Sequence, residues 1–85
     1  MTDHAVPREL KWRCRRGMRE LDALLNRWLE RRWVSADSEL RAAFRMLLES
    51  EDDQLWDWLL GRTRPEASAL RAIVDDVRRT AAGSA

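Results

Sequence analysis

"SELRAAFRMLLESEDDQLWDWLLG", residues 38–61, holds two apolar patterns on either side of an acidic turn. In the first, Leu40, Ala43, Phe44, Leu47 and Leu48 recur at spacings of three and four, which is one face of a helix. Ser35 or Asp37 stands where a residue would cap it. In the second, Leu55, Trp56, Leu59 and Leu60 face inward and Asp52 or Asp53 caps the first turn. Gly61 then ends the helix, where the chain needs a left-handed residue. Neither pattern alternates with the period of a strand, so the stretch reads as all-α.

Working outward, "TRPE" (Thr63 to Glu66) matches a capping box. The helix after it buries Leu70, Ile73, Val74 and Val77. On the N-terminal side, Pro7 suits the start of a short helix that runs to about Arg15. It buries Leu10 and Cys14, with Trp12 or Arg13 flanking. A second helix, from about Met18 to Arg32, buries Met18, Leu21, Leu25, Trp28 and Leu29, and Trp33 closes the turn that follows. Connections of a few residues leave one arrangement, a compact single-domain bundle of about five short helices over residues 1–85. Residues 1–6 and 81–85 read as loose tails.

Composition narrows the function classes. The chain has 85 residues, with five tryptophans, one phenylalanine and a single cysteine. It therefore forms no internal disulfide and offers no Cys/His cluster for a structural metal. The lone histidine, His4, lies in the loose N-terminal segment, which argues against His-based acid–base chemistry. Cys14 has no histidine beside it in the sequence and reads as packing material. The "ESEDD" run lacks the spacing of a calcium loop, and no glycine-rich phosphate loop is present. No run approaches the roughly 18 apolar residues of a membrane span. The first ten residues are neither a signal sequence nor an Arg/Ser-rich transit peptide, so a cytoplasmic location is expected.

Net charge is +1, but it is unevenly spread. Residues 1–33 hold nine basic and five acidic side chains (+4), residues 34–60 two and seven (−5), and residues 61–85 five and three (+2). Such a pattern fits either ordinary solvated helix faces or a partner surface of mixed sign. A nucleic-acid reading would use Arg8, Lys11, Arg13, Arg15, Arg16 and Arg19 as a basic face. Glu9, Glu20 and Asp22, interleaved among them, and the acidic middle third oppose it.

The corner "WRCRRGMRELDALL" (12–25) concentrates polar residues around Gly17. Glycine takes positive φ without a Cβ penalty. Arg15 and Arg16 suit the negative end of the first helix, and Glu20 and Asp22 the positive end of the second. At such a corner Arg16 and Glu20 are expected within a few ångströms of each other, facing outward. They read either as an internal ion pair or as the two polar arms of a docking site. Trp58 lies beside the main stripe of its helix, either partly exposed as an interface residue or roofing the core from its edge.

"CRRGMRELD" (14–22) and "FRMLLESEDDQLWDWLL" (44–60) together resemble the small bacterial succinate dehydrogenase assembly factors of the SdhE type. The hallmark Arg-Gly-x-x-Glu stands here as Arg16, Gly17, Met18, Arg19 and Glu20. A second block appears as Leu47–Leu48–Glu49, Asp52–Asp53 and Leu55–Trp56–Asp57–Trp58–Leu59. The resemblance spans about residues 8–78 and implies a function that spacing alone does not. Members promote covalent attachment of FAD to the flavoprotein subunit of succinate dehydrogenase, and often of fumarate reductase. They bind and position the partner, without a catalytic residue or a tightly held cofactor of their own. The resemblance makes Arg16, Gly17 and Glu20 docking residues, flanked by Arg15, Met18, Arg19 and Asp22. Asp52, Asp53 and Trp58 serve either interface or fold. A monomer free of nucleic acid and membrane is implied. An antitoxin-like regulatory binding protein, an older assignment of this family, is the alternative from a different class.

Overall fold

Five α-helices follow one another in a computed structural model that describes residues 6–82: α1 (Arg8–Arg13), α2 (Arg19–Arg32), α3 (Ser38–Leu47), α4 (Asp52–Leu60) and α5 (Ser68–Ala81). The described residues form a single all-α domain. None of these helices is long and apolar enough to cross a membrane.

The expected stripes of α2 and α3 are observed except that Met18 and Leu40, like Leu70 on α5, are half-buried at the edge of the core. Leu21, Leu25, Trp28 and Leu29 are buried along α2, and Ala43, Phe44, Leu47 and Leu48 along α3 and its C-cap. Asp37, rather than Ser35, caps α3 by accepting the Leu40 N–H at 2.8 Å. Leu10 and Cys14 are fully buried. At the centre Trp28 stacks on Phe44 with ring centroids 4.4 Å apart, and Trp33 meets Trp28 edge-on at 6.2 Å. Helix α5 packs against α2, α3 and α4 and so closes the core over them. The radius of gyration, 12.0 Å, equals the roughly 12 Å expected of a compact chain this long.

Four expectations need correction. Helix α1 stops at Arg13: the Cys14 N–H makes the last α-type bond, to the Leu10 carbonyl, and the Arg15 N–H turns instead to the nearer Trp12 carbonyl, tightening the last turn. Helix α4 has Glu51 at its N-cap with no side-chain bond, because the Asp52 carboxylate is taken by Arg16 and the helix starts before Asp53. On α4 the buried residues are Leu55, Trp58 and Leu59, while Trp56 is half-buried and Leu60 exposed. The "TRPE" segment caps nothing: Pro65 is buried in the loop, and α5 begins only after Ala67. A proline disfavours helical backbone just before it, which delays the start.

Of the expected loose tails, residues 1–5 and 83–85 lie outside the described residues, and so does His4. Val6, by contrast, packs against the core and Ala81 is the last residue of α5.

Candidate functional site

The α1–α2 corner is built around Gly17, whose φ of 88° lies in the left-handed region. A Cβ added there would meet nothing within 4 Å, so glycine is required by its backbone angle and not by crowding. The side of Gly17 on which a Cβ would stand is therefore open. Asp22 holds the corner from the first turns of α2. Its Oδ1 accepts the Arg16 N–H at 2.8 Å and its Oδ2 the Gly17 N–H at 3.3 Å. This carboxylate thus binds backbone donors directly, beyond the expected interaction with the helix end.

Arg16 and Glu20 part company. The Arg16 guanidinium turns inward, with only 14% of its side chain exposed. Its Nε donates to Asp52 Oδ1 at 2.7 Å and its Nη1 to the Leu48 carbonyl at 2.8 Å and the Arg13 carbonyl at 3.3 Å. Its Nη2 donates to the Ser50 carbonyl. Four acceptors engage a group with five N–H donors. The expectation of an outward Arg16 beside Glu20 is therefore corrected. The carbonyls that end α3 need donors, and a buried bidentate-capable cation meets them. Arg16 ties the α1–α2 corner to the α3–α4 corner, a bond across 36 residues of sequence.

Glu20 is exposed on the first turn of α2, and among the described residues it has no hydrogen-bond or ion-pair partner. Arg19 is exposed beside it, and Met18, the N-cap of α2, is half-buried against the core. The Arg15 guanidinium lies 5.1 Å over the Trp12 ring, and Trp12 is 65% exposed. In the second block Asp52 is half-buried through its pair with Arg16, and Asp53 is exposed. Trp58 is only 6% exposed, so it belongs to the core edge. With Arg16 turned inward, the run of cations considered for nucleic acid is also broken in the middle.

Cys14 is buried behind this corner. Burial pushes its thiol up to about 12, against the smaller opposing pull of Arg16. A thiol so placed stays protonated and unreactive near neutral pH.

A second polar cluster went unread in the sequence. Asp76 is buried on α5, where its Oδ2 accepts the Trp28 Nε1–H at 2.6 Å and the Arg32 Nε–H at 2.8 Å. Arg79 Nη2 donates to its Oδ1 at 3.0 Å. Burial pushes this carboxyl up. The bonds from Arg32 and Trp28, the Arg32 charge and the Arg79 bond outweigh it and hold the group below the ordinary carboxylate range. The signal was a carboxylate on the apolar stripe formed by Ile73, Val74 and Val77.

Among the described residues no Ser, Thr or Cys side chain is hydrogen-bonded to a carboxylate or imidazole base. Residues 8–81 match the family described as "Flavinator of succinate dehydrogenase". The FAD assembly factor SdhE of Xylella fastidiosa (strain 9a5c) is 41% identical over 78 residues, covering 92% of this chain and 80% of that protein. The Coxiella burnetii FAD assembly factor SdhE is 37% identical over 79 residues, covering 93% and 96%. That of Pseudomonas aeruginosa is 40% identical over 74 residues, covering 87% and 88%. A match running from the start of α1 to the last residue of α5, around a corner held open at Gly17, makes this chain a member of the succinate dehydrogenase flavinator family.

Proposed function

We propose that this chain is an assembly factor that binds the flavoprotein subunit of succinate dehydrogenase and promotes covalent attachment of FAD to it. Family membership supports the activity. The observation that carries the site is Glu20: a carboxylate fixed on a helix, exposed, and without an internal partner beside the open face of Gly17. Glu20 supplies a charge-assisted bond to the partner, and Gly17 lets the partner backbone come close. Arg15, Met18, Arg19 and Asp53 flank this face. Arg16, Asp22 and Asp52 hold its shape from within, and Trp58 supports α4 beneath it.

The bond formed joins the flavin 8α carbon to a ring nitrogen of a client histidine. The 8α C–H and the histidine N–H each give up a proton and the two electrons stay on the flavin ring, which is reduced, so the reacting groups belong to flavin and client. The assembly factor acts by favouring the client conformation in which they are aligned, without a catalytic residue of its own. It works as a cytoplasmic monomer with no tightly held cofactor, and the fumarate reductase flavoprotein is a further client.

The test is covalent flavin on the flavoprotein, read by in-gel fluorescence after denaturation, in a strain lacking its own assembly factor. The wild-type chain restores the signal. Glu20→Ala keeps its circular dichroism and melting temperature but loses most of the signal. No restoration by the wild-type chain would sink the reading.

A further inference from the structure

We propose that Trp12 is the apolar anchor of the docking surface, seated on binding in an acid-rimmed apolar recess of the flavoprotein client; the inference rests on the function proposed above. An exposed apolar side chain is ordinary by itself. Trp12 differs in three ways.

The first is contrast within the residue type. Trp28, Trp33 and Trp58 are between 0% and 6% exposed and Trp56 is half-buried, whereas Trp12 is 65% exposed. The molecule leaves in water the one large ring that stands beside the corner.

The second is preorganisation. The Arg15 guanidinium lies over the ring at 5.1 Å, a contact worth about 0.5–1 kcal/mol at an exposed site, which biases the indole toward this position before a partner arrives. Ordering a side chain at the moment of binding weakens association, and this contact lowers part of that cost in advance.

The third is continuity and charge. Trp12 and Gly17 are five residues apart, at most about 18 Å of chain. A standard interface of about 800 Å² per partner spans roughly 28 Å and covers both. One helical turn before Trp12 stand Arg8, which is exposed, and Glu9, which pairs with Arg45 at 3.4 Å. Lys11 beside Trp12 and Arg15 over its ring are exposed as well, so the near neighbours carry net positive charge. The complementary surface is therefore a pocket for an aromatic ring, rimmed by carboxylates. Tryptophan and arginine are also the residue types that dominate interface energetics.

The test uses the full chain labelled with 5-fluorotryptophan and the unlabelled apo-flavoprotein, followed by fluorine NMR. Trp12→Phe assigns the Trp12 resonance. On adding client, that resonance shifts and loses its broadening by a soluble paramagnetic agent, while those of Trp28 and Trp33 hold. Trp12→Ala melts like wild type but binds about 30-fold more weakly or worse, the loss expected of a hot spot. Its flavin attachment recovers when the variant is supplied in excess.

Wild-type affinity and flavin attachment in Trp12→Ala would overturn the proposal while leaving the function standing. A Trp12 resonance that moves with chain concentration alone would also overturn it, in favour of a self-association surface. A wild-type chain that neither binds the flavoprotein nor promotes attachment would take the functional reading down as well.

Discussion

Arg16 and Glu20 sit four residues apart in one motif and do opposite things. Arg16 faces inward and satisfies the Leu48 and Ser50 carbonyls at the end of α3, together with Asp52. Its truncation strands those acceptors, and hydrogen bonds to a charged group are worth about 1.5–3 kcal/mol. Arg16→Ala should therefore melt roughly 6–20 °C below wild type. Arg16→Lys recovers only part of this, because one ammonium does not reproduce a planar fork. Glu20→Ala should melt within about 0.5 kcal/mol of wild type and lose function. The pair thus separates a fold defect from a docking defect within five residues. Gly17→Ala falls between them. Its Cβ meets nothing, so the cost is the left-handed backbone alone, about 1–2 kcal/mol.

At the scale of the element, α5 carries a pH-dependent clamp. Asp76 has a folded-state value below its unfolded one, so its contribution is full above the ordinary carboxylate pKa of about 4 and is lost as pH falls through the depressed value. Thermal melts should show Asp76→Asn well below wild type at pH 7, with the gap narrowing below about pH 4. A gap that stayed constant with pH would show that packing, not charge, sets the loss. The apolar stripes of α2 and α3 were legible because several residues agree on one direction. Helix α4 was ambiguous for a geometric reason. At about 100° per residue, Leu55, Trp58 and Leu59 share an arc of about 100°, while Leu55, Trp56, Leu59 and Leu60 share an overlapping one of about 140° that holds more apolar residues. Only the position of α5 decides between them. The corner at Gly17 was legible, since its φ demand is local. The inward turn of Arg16 was not, because three of its four acceptors are 32 to 36 residues away and charge alone does not name a partner. Asp76 was hidden for the same reason.

At the scale of the whole molecule, Cys14 is a built-in reporter of opening. It is fully buried where α1 meets the core, with its thiol pushed up to about 12. A thiol reagent at pH 8 should therefore modify the native protein only through unfolding, and the labelling free energy should match that from denaturant melts. Labelling much faster than this would mean that α1 detaches on its own. Helix α5 adds a consequence in time. It supplies Ile73, Val74, Asp76 and Val77 to a core whose other members precede it in the chain. Synthesis runs from the N-terminus at about 5–20 residues per second, so the 21 residues from the end of α4 to the end of α5 (81 − 60) take roughly 1–4 s. All the residues that tie the Arg16 corner are made by then, but Trp28 still has no carboxylate for its indole N–H. When α5 is completed it still lies within the ribosomal exit tunnel, so the faces that α2, α3 and α4 turn toward it are covered only after it has emerged. The core therefore cannot close residue by residue as the chain is made: it closes in one step, when α5 arrives.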